Sequence, residues 1–291
     1  MNKLKHKPIV GCMRWGTWGA NFTTGQYQQM IEQCIEIGLD EFDHADIYGD
    51  YTTEADFGAV LKGNSSLRNK MKLITKCGIK MISPNRPLHP IKSYDTSSQH
   101  IKTSVETSLK NLNTDCIDTL LIHRPDTLMD PHEIAETINA LKQEGKIKHF
   151  GVSNFTTAQV ELIQSFVKVE QHQVEISTTN LSAYHNGVLE QAQLKGIEIQ
   201  SWSPLGNGLF DIKTEAHKRI LDTAEQLSFK HNTSVSSILL AFLYMHPAKI
   251  IPVMGTTKIE RLIEAKEAMH INLTRTEFYQ LWTAATGVEV A

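Results

Sequence analysis

Eight times along this chain a short apolar run is followed by a longer stretch of helical periodicity, and that alternation leaves few folds open. The runs Ile9–Met13, Glu41–Ala45, Lys72–Cys77, Cys116–His123, His149–Ser153, Val169–Val174, Ile197–Trp202 and Lys249–Val253 read as strands. After the first, Tyr27, Met30, Ile31, Cys34 and Ile35 recur at helical spacing, and Gly38 supplies a stop. Phe57, Val60 and Leu61 mark a short helix after the second strand. Thr96 with Gln99 and Thr156 with Gln159 read as capping boxes, as does Thr274 with Glu277 for a last helix. Asp130-Pro131 with Glu133 is a strong helix start, and Gly145 ends that helix. Further helices are predicted around Val188–Leu194 and over about 216–230, 234–245 and 258–268. The segment 78–97, with Pro84, Pro87 and Pro90, reads as a loop of about twenty residues, a length that compact domains reserve mostly for function.

Strict strand–helix alternation implies a parallel sheet, either a (β/α)8 barrel or a doubly wound sheet. The doubly wound dinucleotide fold needs G-x-G-x-x-G after its first strand. Here the first strand runs into Gly11-Cys-Met-Arg-Trp-Gly16, and Gly206-Asn207-Gly208 lacks the third glycine. The expected fold is therefore α/β: a (β/α)8 TIM barrel of eight parallel strands with extra helices, a single domain over residues 1–291. A net charge of −3, with no basic stripe, argues against a nucleic-acid partner. The most apolar segment, Ile238–Met245, falls far short of the ~20 residues that span a bilayer. The basic start Met1–Lys7 lacks the apolar region of a signal peptide. Cys12, Cys34, Cys77 and Cys116 show no close pair and no metal-type spacing, so reduced thiols and a cytoplasmic location are expected.

Barrels of this kind carry their chemistry at the C-terminal ends of the strands. Those ends hold Asp43 (with Tyr48 in the following loop), Lys76, His123, Ser153-Asn154, Gln173, Trp202 and Gly255-Thr256. The stretch Phe42–Asp50 alone contains three carboxylates, a histidine and a tyrosine. A lysine ammonium beside Tyr48 would favour its phenolate, and an aspartate would hold that lysine charged. A histidine across the pocket could hydrogen-bond a substrate oxygen or share the proton. The four together could protonate a carbonyl oxygen as a hydride reaches its carbon, and the hydride must come from a cofactor. Lys76 alone could form a Schiff base, as in aldolase-type barrels, but that leaves Tyr48, Ser153, Gln173 and Trp202 unexplained. Strand alternation turns His44 and Asp46 away from Asp43, so both read as supporting residues. Trp15, Trp18 and Phe22 read equally as core or rim residues or as pocket lining. Arg14 reads as a salt-bridge partner ahead of an anion contact.

The order Asp43, Tyr48, Lys76, His123 resembles the tetrad of the aldo-keto reductase family. That family's D-x-A-x-x-Y-G pattern is matched by Asp43-His-Ala-Asp-Ile-Tyr48-Gly49. Leu73-Ile-Thr-Lys76, Leu120-Leu-Ile-His123, Gly151-Val-Ser-Asn-Phe155, Gln173-Val-Glu175 and Trp202-Ser-Pro-Leu205 are similar as well. Ile122-His-Arg-Pro-Asp126 suits a bacterial oxidoreductase subgroup. The resemblance spans about Ile9 to Gly287 and implies NADP(H) as cofactor and a small-molecule aldehyde or ketone as substrate. It gives Tyr48 the part of general acid, tuned by Lys76 and Asp43, with His123 orienting the carbonyl. Trp202 would stack on the nicotinamide, with Ser203 and Leu205 beside it. Ser153, Asn154 and Gln173 would hold the carboxamide. Gly11, Cys12 and Met13 would lie near the phosphates or ribose, where Gly-Thr-x is commoner. Gly255, Thr256 and Lys258 would meet phosphate at a helix start. Lys258 and Arg261 would read the 2′-phosphate, and Glu264 the adenine, although Ala265 stands where the family often has asparagine. The resemblance leaves an alternative: an NADP(H)-binding, redox-sensing regulatory protein of the same fold with little turnover.

Overall fold

The computed structural model describes residues 6–291. Its strands are β1 (Ile9–Gly11), β2 (Glu41–Asp43), β3 (Lys72–Cys77), β4 (Ile79–Lys80), β5 (Ser93–Tyr94), β6 (Ile117–Ile122), β7 (Ile147–Ser153), β8 (Gln171–Glu175), β9 (Glu198–Trp202) and β10 (Ile251–Met254). Eight of them form a closed parallel barrel in the order β1-β10-β9-β8-β7-β6-β3-β2, while β4 and β5 pair separately and antiparallel. The segment 78–97 is therefore not a plain loop: it holds this small ladder and a bridge between Ser83 and Arg86. Two-residue strands are too short to show any periodicity.

Local chemistry accounts for the helix starts. Thr156 and Thr274 form full capping boxes with Gln159 and Glu277, and Asp130 accepts from His132 and Glu133 ahead of Pro131. Gly38 and Gly145 follow helix ends with φ of 77° and 72°, a conformation that costs other residues a steric clash. The expected Thr96–Gln99 box does not form. Ser97 caps that helix by accepting from His100, while the Thr96 hydroxyl and amide both turn to Asp126.

By their internal packing the residues fall into two compact units, one of Ile9–Gln173 and Gly255–Ile259, the other containing Val174–Met254 and Glu260–Ala291. The core of the first includes a cluster in which Trp15 meets Phe22, Tyr27, Phe42 and Phe57 at ring-centroid distances of 5.7–6.2 Å. Such pairs contribute roughly 0.5–1.5 kcal/mol each beyond their buried area. The core of the second centres on the helix Val235–Tyr244, apolar on nearly every side, whose Phe242 stacks on Phe278 at 4.5 Å. Among the described residues no helix is long and apolar enough to cross a membrane.

Candidate active site

Strand register decides which side chains meet. Asp43 pairs with Ile74, and Lys76 lies two residues further along β3, so both project from one face. Lys76 pairs with Leu121, two residues before His123, and Leu121 pairs with Gly151, two residues before Ser153. Ser153 is level with Gln173. Asp43, Lys76, His123, Ser153 and Gln173 thus share one face near the C-terminal strand ends. The intervening residues face the other way. Thr75 donates to Glu54 Oε1 at 2.6 Å, and the His44 ring packs 4.5 Å from Phe57. Glu54 and Phe57 belong to the helix Thr53–Leu61, which covers that outer side.

Lys76 is the hub of the site. Its buried ammonium lies 2.7 Å from each Asp43 carboxylate oxygen, 2.8 Å from the His44 carbonyl and 3.1 Å from the Tyr48 hydroxyl. Those contacts use all three of its N–H donors. Gln173 Nε2 donates to Asp43 Oδ1 at 3.0 Å, a partnership the linear sequence does not announce. The His123 ring stands edge-on to Tyr48, centroids 6.1 Å apart, and its buried Nδ1 has no protein partner.

The electrostatics follow from this geometry. Burial disfavours the Lys76 ammonium, but Asp43 and Tyr48 outweigh it and raise the pKa above the ordinary lysine value. Burial also lifts the Tyr48 phenol above its usual range; Lys76 pulls it down and Asp43 pushes it up. The expectation that the lysine would lower the tyrosine therefore holds for that pair but not for the sum, and Tyr48 is a protonated phenol. His123 is held well below the ordinary histidine value by burial and by the cations of Lys76, Arg124 and Lys92, so it is neutral. His44, with both ring nitrogens unpartnered, is pushed down to about 3 by burial and by Lys76.

Tyr48 is set by a tight turn. Gly49, Asp50 and Tyr51 have φ of 57°, 56° and 69°, three successive left-handed residues. For the two non-glycines this costs roughly 1–2 kcal/mol each. Neighbouring contacts hold the turn in place. The Trp18 indole donates to Asp50 Oδ2 at 3.2 Å, Asn85 Nδ2 to the Asp50 carbonyl at 2.8 Å, and the Met81 amide to the Tyr51 hydroxyl at 2.8 Å. Trp18 also lies against Tyr48, centroids 6.2 Å apart. Of the aromatics after β1, Trp15 is thus a core residue and Trp18 a wall of the tyrosine's surroundings. Arg14 is exposed, and among the described residues it forms no ion pair, contrary to the salt bridge expected of it.

The remaining candidates are distributed as follows. Gly11 and Cys12 are buried beside Asp43, whose carbonyl accepts from the Cys12 amide at 2.9 Å, whereas Met13 is exposed. Asn154, at φ 62°, donates to Ser153 Oγ at 2.7 Å and to the His123 carbonyl at 3.4 Å. After β10, the Lys258 amide donates to Thr256 Oγ1 at 3.2 Å, and Lys258 and Gly255 are exposed. In the other unit, Trp202 ends β9, Ser203 follows at φ 49°, and Leu205 is half-buried. Arg261 is exposed in the first turn of the helix Ile259–Glu267, with Glu264 one turn later.

The sequence model of the Aldo/keto reductase family matches residues 9–285. The chain belongs to that family. It is an oxidoreductase, 41% identical over 286 residues to the uncharacterized oxidoreductase YcsN of Bacillus subtilis, a match covering 97% of this chain and 95% of that one. It is 37% identical to a 6-dehydroglucose reductase of Agrobacterium fabrum, across 100% of this chain and 98% of the relative. Among solved structures it matches an aldo/keto reductase from Klebsiella pneumoniae in complex with NADP and acetate. That match has a TM-score of 0.74 and 22% identity over 94% of this chain and 89% of that one, a likeness of fold.

Proposed function

We propose that this protein reduces a small aldehyde or ketone to the alcohol, with NADPH as cofactor and Tyr48 as general acid. The observation that carries the proposal is the Lys76 ammonium, 2.7 Å from both Asp43 oxygens and 3.1 Å from the Tyr48 hydroxyl. The phenol is protonated at rest, as a proton donor must be. As charge builds on the carbonyl oxygen, Tyr48 gives up its proton, and the adjacent ammonium stabilises the phenolate left behind. Asp43 and the His44 carbonyl keep that ammonium charged and aimed. Neutral His123, beside Tyr48, orients the carbonyl oxygen by a hydrogen bond.

Bound NADPH supplies the hydride. The residues fit such a group. Lys258 and Arg261 are exposed cations around the start of a helix, and neither has an ion-pair partner among the described residues. The positive end of that helix favours phosphate there. Ser153 and Asn154 would hold the carboxamide, with Gln173 bracing Asp43. Trp202, Ser203 and Leu205 would take the nicotinamide side, Gly11, Cys12 and Met13 the ribose side, Gly255 and Thr256 the phosphates, and Glu264 the adenine. The name of the Agrobacterium relative makes 6-dehydroglucose the first substrate to test, within a panel of aldehydes.

The test is the Tyr48→Phe variant. NADPH oxidation, followed by absorbance, should fall to background, while the dissociation constant for NADPH stays close to wild type. Undiminished turnover in that variant would remove Tyr48 from the reaction.

A further inference from the structure

Trp15 is wholly buried among four other aromatic rings, yet its one polar atom leaves the cluster in a specific direction. The indole Nε1 donates to the backbone carbonyl of Thr256 at 3.1 Å, across 241 residues of sequence. Thr256 sits in the turn after β10, the same turn whose Thr256 hydroxyl accepts from the Lys258 amide. At its other end Trp15 is tied to the tetrad by backbone. Its amide donates to the Cys12 carbonyl at 3.0 Å, and the Cys12 amide donates to the Asp43 carbonyl at 2.9 Å. Three hydrogen bonds in line therefore join Asp43 to Thr256. The carbonyl of Trp15 accepts from Phe22 at 2.8 Å, so the residue is fixed at backbone and ring alike. In keeping with this link, Gly255–Ile259 packs as part of the unit that carries Asp43, Tyr48, Lys76 and His123, although the residues on either side of that short segment belong to the other unit.

We infer that Trp15 is a positioning residue for the cofactor: it fixes the Gly255–Lys258 turn, which would hold the phosphates, at a set distance from the tetrad. The inference rests on the NADPH-dependent reading proposed above and adds a residue to it. A dinucleotide has two ends to satisfy, the ring at the tetrad and the phosphates at the turn. If the turn is held in register with the tetrad, binding at one end places the other without further ordering. Phenylalanine at position 15 keeps an aromatic ring in the cluster and removes the N–H. The Thr256 carbonyl then loses its partner and the turn its tie.

The experiment compares wild type with Trp15→Phe in two ways. Calorimetric titration should show NADPH bound about five- to tenfold more weakly by the variant, the scale of one lost hydrogen bond. Steady-state reduction driven by reduced nicotinamide riboside, which carries no phosphate to reach the turn, should lose far less in the variant than NADPH binding does. A variant in which benzothienylalanine replaces Trp15 keeps the bicyclic shape without the N–H and should behave as Trp15→Phe does; it serves if the smaller ring prevents folding. Equal NADPH affinity in wild type and variants overturns the inference, and so does an equal loss with the riboside, which would mark Trp15 as general support for the barrel. Wild type that fails to bind NADPH at all overturns the proposed function, and this inference with it.

Discussion

Replacing Asp43 by asparagine tests the electrostatic design of the site, because it alters charge while keeping shape. The Lys76 and Asp43 side chains are only 1% and 4% exposed, and the ammonium rests on both carboxylate oxygens at 2.7 Å. After the substitution the ammonium keeps the His44 carbonyl at 2.8 Å and the Tyr48 hydroxyl at 3.1 Å but no counter-charge. Breaking one side of a buried pair costs about 3–5 kcal/mol, a large part of the ~5–15 kcal/mol that holds a typical protein folded. Urea denaturation near neutral pH should show a loss of that size. Adding Lys76→Met should restore most of it, since removing both charges leaves nothing uncompensated. The pH dependence is the sharper check. In wild type the folded pKa of Lys76 is raised, so its stabilising contribution is complete below the ordinary lysine value of ~10.4 and is lost only as pH rises through the higher folded value. Without Asp43 only the Tyr48 hydroxyl still opposes the burial penalty, which is the largest single influence on Lys76, so the folded pKa falls below ~10.4. The unfolded chain then binds more protons than the native one, and stability rises with pH across that interval. The difference between wild type and variant should therefore narrow between about pH 7 and pH 10. A difference under about 1 kcal/mol, or one that stays constant over that range, would refute the account of Lys76 as a buried, charge-paired hub.

Two further perturbations probe the surroundings. His44→Phe should flatten the loss of stability on acidification: the buried imidazole has a folded pKa of about 3 against ~6.5 unfolded, so the native state refuses a proton that the unfolded chain takes up as pH falls. Acid titrations of the two proteins that superimpose would contradict this. Arg261→Ala should raise KM for NADPH about tenfold or more and leave KM for NADH nearly unchanged, as expected of a charge-assisted contact to the 2′-phosphate. Parallel changes with both cofactors would show that Arg261 does not distinguish them.

How far the molecule was legible from its sequence depended on the distance over which each feature is decided. Asp43, Lys76 and His123 could be placed on one face because a two-residue period and strand-end positions are local properties, and the register of β2, β3 and β6 obeys them. The boxes at Thr156 and Thr274 were legible for the same reason. Thr96 and Ser97, by contrast, are neighbours with equivalent hydroxyls. Asp126, thirty residues on, engages Thr96, and the cap falls to Ser97. Gln173 reads as a cofactor ligand, and its further tie to Asp43, 130 residues away, is made only by the barrel. Trp15 and Trp18 differ by three residues and carry the same ring, and only tertiary partners separate them. One finds Phe22, Tyr27, Phe42 and Phe57, with Thr256 at its N–H; the other finds Tyr48 and Asp50. An indole N–H is a single donor, so its acceptor decides what the residue braces. For Trp18 that acceptor is the left-handed turn behind the tyrosine; for Trp15 it is the turn after β10. The two residues that could not be told apart in sequence thus steady opposite ends of the proposed reaction, the proton donor and the cofactor phosphates.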